Sequence, residues 1–374
     1  MKIKTKKILK TVFAIVGVLL FIVGILCMEV WRELGETPSA EAAAEFAGLP
    51  NYADGKFHNT EPSERREGGA AAGKRPKIWR MIFADNAPEQ AIPTLKISPS
   101  DFAAAPEKDA ASVRWFGHSS LLFELNGARF MVDPVFGNAA PIPFAVRRYV
   151  DPPLARRDLP KLDFVILTHD HYDHLEYPTI AMLRGSDTEF ICPLGVGARL
   201  RGWLINPDKI HELNWGESLV VGGVVVAARE ARHFSGRTFD DRGRTLWASF
   251  IVSAGGRKMF ISGDGGYGRH FSQIGESDGP FDYVFMEIDA WNENWRNNHI
   301  FPDDAVRAVR DLRGEKMIPV HWAVFNLANH PWNESIKMVS EAADREGVEL
   351  VTPMIGEKLD LNSPSSGRWW QNLK

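Results

Sequence analysis

The chain predicts an α/β architecture of two β-sheets with helices on the outside. Three observations predict it. Short apolar runs bounded by turn residues form two strand-rich blocks, over residues 113–192 and 218–262. Helical periodicity is confined to a few segments, at Tyr177–Arg184, Pro302–Arg313 and Glu334–Glu346. Several apolar runs end in a histidine or an aspartate, as expected when strand ends line one site.

The N-terminus comes first in the chain. Lys2, Lys4, Lys6, Lys7 and Lys10 precede an uncharged run from Thr11 to Met28. At about 1.5 Å per residue this run is close to the minimum that spans a bilayer core. It is longer than the apolar region of a typical cleavable signal, about 7–15 residues. Leu26-Cys27 lacks the small residue expected before a lipoprotein cysteine, and Ala40-Glu41-Ala42 lies far beyond the run. The reading is an uncleaved membrane anchor through residues 11–28, with the lysines cytoplasmic and the C-terminal part outside. A cleaved signal, giving a secreted or periplasmic protein, is the alternative.

Four regions follow: residues 1–30 as lysine-rich tip and anchor, 31–110 as extension and connector, 111–361 as the main domain, and 362–374 as a tail. Within the extension, Pro38–Pro50 is rich in Ala and Glu, and Glu61–Lys77 in Gly, Ala, Arg and Glu. The second reads as a flexible, solvated connector, a tether holding the domain off the bilayer. Trp79, Ile82 and Phe83 belong either against the main domain or against lipid.

In the main domain, residues 113–116, 120–125 and 128–132 read as consecutive strands, with Asn126-Gly127 as a hairpin turn. Residues 164–168 and 189–192 are two further strands. The second block contains runs at 218–228, 245–253 and 258–262, the last two joined at Gly255-Gly256. Asp303 and Asp304 favour the start of the helix at 302 through its dipole.

Composition is that of a globular protein, with 44% apolar and 25% charged residues. A net charge of −4 gives no global attraction for nucleic acid. The two cysteines, Cys27 and Cys192, exclude a disulfide framework, so any metal must be held by histidine and carboxylate.

The most informative stretch is His169-Asp170-His171-Tyr172-Asp173-His174, directly after the apolar run 164–167. One divalent metal needs three or four such groups, so this stretch starts two sites. Other apolar runs lead to His233, Asp264, His321 and Asp133. Strands ending at one rim would bring these groups together.

The motif H-x-H-x-D-H after a strand resembles that of the metallo-β-lactamase fold superfamily. Trp115-Phe-Gly-His-Ser-Ser, Val132-Asp-Pro-Val-Phe, Leu159-Pro-Lys-Leu-Asp, residues 168–177, Ala231-Arg-His-Phe-Ser-Gly-Arg and Val320-His-Trp-Ala-Val-Phe-Asn-Leu-Ala narrow the resemblance. They are similar to the N-acylphosphatidylethanolamine-hydrolysing phospholipase D group, in particular its bacterial members. The resemblance implies a four-layer αββα sandwich and two zinc ions per chain, with iron or manganese as alternatives. One zinc would take His169, His171 and His233; the other would take Asp173, His174 and His321; Asp264 would bridge both. Asp173 and Asp264 are then the catalytic carboxylates. A water held between two cations loses a proton near neutral pH and becomes a nucleophile. The implied activity is hydrolysis of a phosphodiester in a phospholipid at a membrane. A lactonase or other hydrolase of small esters, and a non-catalytic membrane-anchored binding protein, are the competing readings. The sequence leaves the oligomeric state open.

Further residues are candidates to support the ligands or touch substrate. Asp133 either fixes a histidine tautomer or serves the turn before Pro134. His118 either lines the site or is a core group. Arg237, four residues after His233, would hold a phosphate with its planar fork, or lie on the surface. His299 and His330 sit near helix boundaries, where structural roles are the commoner ones. Gly265 stands where the related group has Ser or Thr, and Ile288-Asp289-Ala290-Trp291 replaces Ile-Gly-Ala-Tyr. Both departures fall near the expected rim.

Overall fold

The computed structural model describes residues 2–61, 86–142, 145–328 and 330–373. Helices α1 (Lys2–Leu34) and α2 (Ala40–Phe46) come first, then a short hairpin of β1 (Tyr52–Ala53) and β2 (Lys56–Phe57). The first block runs β3 (Ala111–Trp115), β4 (Leu121–Leu125), β5 (Ala128–Val132), β6 (Phe164–Ile166), α3 (Tyr177–Met182), β7 (Glu189–Pro193), α4 (Val196–Gly202) and β8 (Ile210–Leu213). The second runs β9 (Ser218–Val221), β10 (Val224–Arg229), β11 (Ser249–Ala254), β12 (Arg257–Ile261), α5 (His270–Ser277), β13 (Phe281–Glu287), α6 (Pro302–Asp311), β14 (Gly314–Val320), α7 (Glu334–Glu346) and β15 (Glu349–Leu350). The last strand, β16 (Lys358–Asp360), returns to the first block.

The strands form two seven-stranded sheets, ordered β16-β3-β4-β5-β6-β7-β8 and β15-β14-β13-β12-β11-β10-β9. Alternation along each strand decides which layer it meets. In β4, Leu121, Phe123 and Leu125 face the second sheet, while Leu122 faces the helices. Phe123, Phe130 and Phe164 stack in series inside the sandwich, at 5.0 and 4.4 Å between ring centres. On the outer face of the first sheet, Met131, Val165 and Phe190 pack with Ile180 of α3 and Val196 and Leu200 of α4. α6 lies against β13 and β14 and packs on α7, burying Val306, Val309, Ile336 and Val339. The result is the four-layer αββα sandwich. In each sheet the later strands are parallel, β5 to β8 and β12 to β15, so their C-terminal ends share a rim.

Several local expectations need correction. The run 218–228 is two antiparallel strands, because Gly222 and Gly223 both take positive φ, at 57° and 75°, and turn the chain. Strand β11 starts at Ser249 rather than at residue 245. Part of the 31–110 extension, residues 39–57, packs on the main domain rather than standing free as a connector. Ser39 caps α2, and Phe46 and Phe57 are buried against Ala231, Leu246 and Trp247. Most of the Gly-, Ala-, Arg- and Glu-rich stretch, with Trp79, Ile82 and Phe83, lies outside the described residues. The tail docks as well: Trp370 is buried, and Trp369 stacks on Trp322 at 5.4 Å. α1 is long and apolar enough to cross a membrane, and none of its apolar window is buried.

Candidate metal centre

Every residue named as a ligand from the sequence arrives at the shared rim. The loop after β6 carries His169, His171, Asp173 and His174; β10 leads to His233, β12 to Asp264 and β14 to His321. The rim loops hold an unusual backbone. His118, Asp133, Ala290, His321 and Ala323 all take positive φ, between 42° and 66°. Non-glycine residues in that region cost of order 1–3 kcal/mol each, and such strain concentrates at functional sites.

Among the described residues, three overlapping groups have ligand atoms close enough to hold a cation. In the first, His171 Nδ1 lies 2.9 Å from His169 Nε2 and 3.2 Å from His233 Nε2. In the second, Asp173 Oδ2 lies 3.0 Å from His118 Nε2, 3.5 Å from His174 Nε2 and 3.4 Å from His321 Nε2. Asp264 Oδ2 sits between them, 3.1 Å from His321, 3.2 Å from His174, 3.7 Å from His169 and 3.8 Å from His233. A third group joins Asp264 and His321 to Glu287 and His299. The centre is buried, yet His174 Nε2, His321 Nε2 and Asp264 Oδ1 have no hydrogen-bond partner. Buried polar atoms left unsatisfied are costly. Convergent imidazole nitrogens and one shared carboxylate match the donor set of zinc or another borderline divalent metal. The residues therefore fit a pair of metal ions.

The supporting contacts fix which nitrogen faces inward. Asp133 accepts from Thr168 N at 2.8 Å and Thr168 Oγ1 at 2.6 Å, and its Oδ2 lies 2.7 Å from His174 Nδ1. His233 Nδ1 is 2.7 Å from the Asn298 carbonyl, which accepts from it and turns Nε2 inward. His118 does line the site. Burial, then the neighbouring His321, push its pKa down to about 3, so the neutral ring donates Nε2–H to Asp173. His299 is held by Glu287 at 2.9 Å, its ring centre 5.0 Å from that of His233 and 5.3 Å from that of His321.

Arg237 lies elsewhere than the sequence predicts, whereas His330 has the structural role expected near a helix boundary. Arg237 is buried, and its guanidinium donates to the carbonyls of Asp170, Leu175 and Glu33 and faces the Glu33 carboxylate. These donors are turned away from any phosphate. His330 is outside the metal groups. Its ring stacks on Trp291, and Nε2 is 3.3 Å from Asp289, which also accepts from Ser335. The two departures at 289 and 291 are thus partners of one another through His330. Gly265, the other departure, donates its N–H to Glu287, and a side chain there would press on the Arg232 backbone.

Two supports were not expected from sequence. Glu287 ends β13 as the ligands end their strands, so the same rule would have found it. Asp170 lies inside the motif but faces away from the metals. It bonds Arg199 at 3.0 and 3.2 Å, and Arg199 bonds Asp241 at 2.6 Å, all three buried. Burial works to raise the Asp170 pKa, but Arg199, His171 and the Gly236 N–H hold it below the usual carboxylate range.

Rim ligands on two stacked sheets define a metallohydrolase of the sandwich type, and comparison with known proteins agrees. The model of the beta-lactamase superfamily domain matches residues 128–322. An uncharacterized protein of Mycobacterium tuberculosis is 38% identical over 359 residues, covering 91% of this chain and 94% of that one. The N-acyl-phosphatidylethanolamine-hydrolyzing phospholipase D 1 of Caenorhabditis elegans is 30% identical over 288 residues, covering 72% and 80%. The structure of Igni18, a metallo hydrolase from Ignicoccus hospitalis, superposes with a TM-score of 0.53 at 19% identity, covering 67% and 97%. The chain belongs to the metallo-β-lactamase superfamily and is a metal-dependent hydrolase. Within that superfamily it belongs to the N-acylphosphatidylethanolamine-hydrolysing phospholipase D-like group.

Proposed function

We propose that the chain is a membrane-anchored phospholipase D-type phosphodiesterase that holds two zinc ions and cleaves an N-acylated ethanolamine phospholipid. The observation that carries the reaction class is Asp264 Oδ2 between two histidine groups, within 3.8 Å of four imidazole nitrogens. His169, His171 and His233 would hold one ion, Asp173, His174 and His321 the other, and Asp264 both. Bound there, the ions would lower the pKa of water and neutralise charge developing on the phosphoryl oxygens. The protein's own groups do the rest. Asp173, steadied by His118, orients the attacking water through its carboxylate. Asp133 and the Asn298 carbonyl keep His174 and His233 in the tautomers that face the centre. Glu287 holds His299 beside His233 and His321, where it would be free to donate to a bound oxyanion. Identity with the nematode phospholipase and the exposed apolar helix α1 together support a bilayer lipid as substrate.

A headgroup-release assay on a panel of N-acylated and plain phospholipids, with lactones as controls, tests the substrate class. Release of N-acylethanolamine is expected. Turnover of lactones alone would overturn the proposal. His169→Ala and Asp264→Ala should each abolish release. Unchanged turnover with full metal content in either variant would refute the assigned ligands.

A further inference from the structure

The C-terminal end of α1 is gripped by the hydrolase body. A helix leaves its last carbonyls without internal partners. Here three successive ones are taken by body side chains. Trp203 Nε1 donates to the Arg32 carbonyl at 2.7 Å, Arg237 Nε to Glu33 at 2.8 Å, and Arg199 Nη1 to Leu34 at 3.1 Å. Two of the donors are cations, which also suit the negative end of the helix dipole. Gly35, at φ 63°, then turns the chain with the Trp203 ring only 3.1 Å from where a Cβ would stand. The anchor is therefore fixed in direction relative to the catalytic sandwich.

The height of this grip follows from helix geometry. Arg32 and Leu34 lie four and six residues beyond Met28, the last residue of the uncharged run. At 1.5 Å per residue the grip sits about 6–9 Å beyond the apolar run. The headgroup layer on each side of a bilayer is of similar depth, roughly 5–8 Å. Little space is left for water between the body and the lipid. Around the grip, large apolar side chains stand exposed among charged ones such as Arg32, Glu36, Arg184 and Asp240. Trp31 is 77% exposed, Leu204, next to Trp203, is 75% exposed, and Phe239, two residues after Arg237, is fully exposed. Trp31 and Leu204 border one hollow beside the helix end, and Thr238 and Asp240, flanking Phe239, border another with Leu34.

We propose that this face, with Trp31, Leu204 and Phe239 at its front, sits in the headgroup layer of the same bilayer that α1 crosses. The proposal rests on α1 being the membrane span. Aromatic and apolar side chains at that depth gain from partial transfer out of water, and tryptophan is enriched there. The arrangement also positions the active site. Arg237 bonds the Glu33 carbonyl at one end of its guanidinium and the Asp170 and Leu175 carbonyls at the other. Its guanidinium lies 3.9 Å from the Tyr172 ring centre. The partly exposed 171–173 segment is thus one side chain from the anchor, at a set height above the lipid.

The test uses the full chain with Cys27 replaced by serine, reconstituted in phosphatidylethanolamine–phosphatidylglycerol vesicles. Leu204→Cys, Phe239→Cys and Val220→Cys each carry an environment-sensitive fluorophore. Val220 is exposed on β9, near Gly223, whose carbonyl accepts from Asn126 at the hairpin turn away from the metal rim. Lipids spin-labelled near the headgroup should quench positions 204 and 239 several-fold more than 220. Equal quenching at all three, with the protein still resisting alkaline carbonate extraction, would overturn the interfacial face while leaving the anchor intact. Extraction by carbonate would overturn the anchor reading itself. Disulfide-linked dimers of the unlabelled Phe239→Cys variant, with no quenching of the labelled one, would assign the patch to a second copy and overturn the proposal too.

Discussion

Replacing Arg199 with methionine should strand two buried carboxylates beneath the metal-binding loop. The side chain is 1% exposed, and those of Asp170 and Asp241 are 0% and 3% exposed. The substitution keeps apolar volume but removes two bonds to Asp170, one to Asp241 and one to the Leu34 carbonyl. Removing one partner of a buried ion pair costs about 3–5 kcal/mol. The lower part of that range applies, because Asp170 keeps the Gly236 N–H and Asp241 keeps the N–H groups of Arg237 and Thr238. At about 2–4 °C per kcal/mol for a large domain, Tm should fall by roughly 6–15 °C. The pH dependence has a defined sign. With Arg199 in place the Asp170 pKa is held below its unfolded value near 3.8, so the stabilisation is present above that pH and is lost as pH falls through the lowered value. The deficit of the variant should therefore be larger at pH 7 than at pH 3. Thermal unfolding of the detergent-solubilised full chain, followed by circular dichroism, measures it. Arg199→Met combined with Asp170→Asn and Asp241→Asn should recover most of the loss. A single variant within about 1 kcal/mol of the parent, or a triple variant no better than the single, would refute charge stranding as the cause.

Three other outcomes are expected. Asp133→Asn keeps the shape but weakens the hold on His174, and should lower metal affinity or turnover about 10–100-fold, read by zinc titration and headgroup release. His270 is buried, and burial pushes its pKa down to about 4 from an unfolded value of 6.5. A lowered histidine pKa means that the unfolded state gains the proton first, so stability falls as pH drops from 6.5 toward 4. His270→Gln should remove about 2 kcal/mol of acid sensitivity between pH 7 and 5 in urea titrations. Gly275→Ala places a Cβ 2.0 Å from the Asp311 carbonyl oxygen, where α5 meets the end of α6. It should destabilise the chain by about 1–3 kcal/mol in the same titrations with metal affinity unchanged.

The sequence was most legible where one rule repeats. An apolar run ending in a histidine or aspartate identified β6, β10, β12 and β14 with the seven candidate ligands beyond them, and β5 with Asp133. The same rule extends to β13, whose charged end residue Glu287 directly follows Met286. Arg237 was misjudged because chain proximity to His233 says nothing of direction. Its partner Glu33 is 204 positions away. Asp170 looked like part of the ligand set, but its carboxylate points to Arg199 on α4, a segment with no metal-type pattern. The hairpin extension was unreadable for a different reason. Phe46 and Phe57 are sparse in a polar stretch, and their burial depends on Trp247 and Leu246, far along the chain. At Gly222-Gly223 the apolar run continued through the turn and concealed it.

The most direct test of the two-metal account is a zinc titration of chelated protein that follows bound metal and headgroup release together. The account predicts that both saturate at two zinc ions per chain, and that His321→Ala and His171→Ala each reduce the bound metal. Full hydrolysis by metal-free protein, or saturation with no more than one ion at full activity, would contradict it.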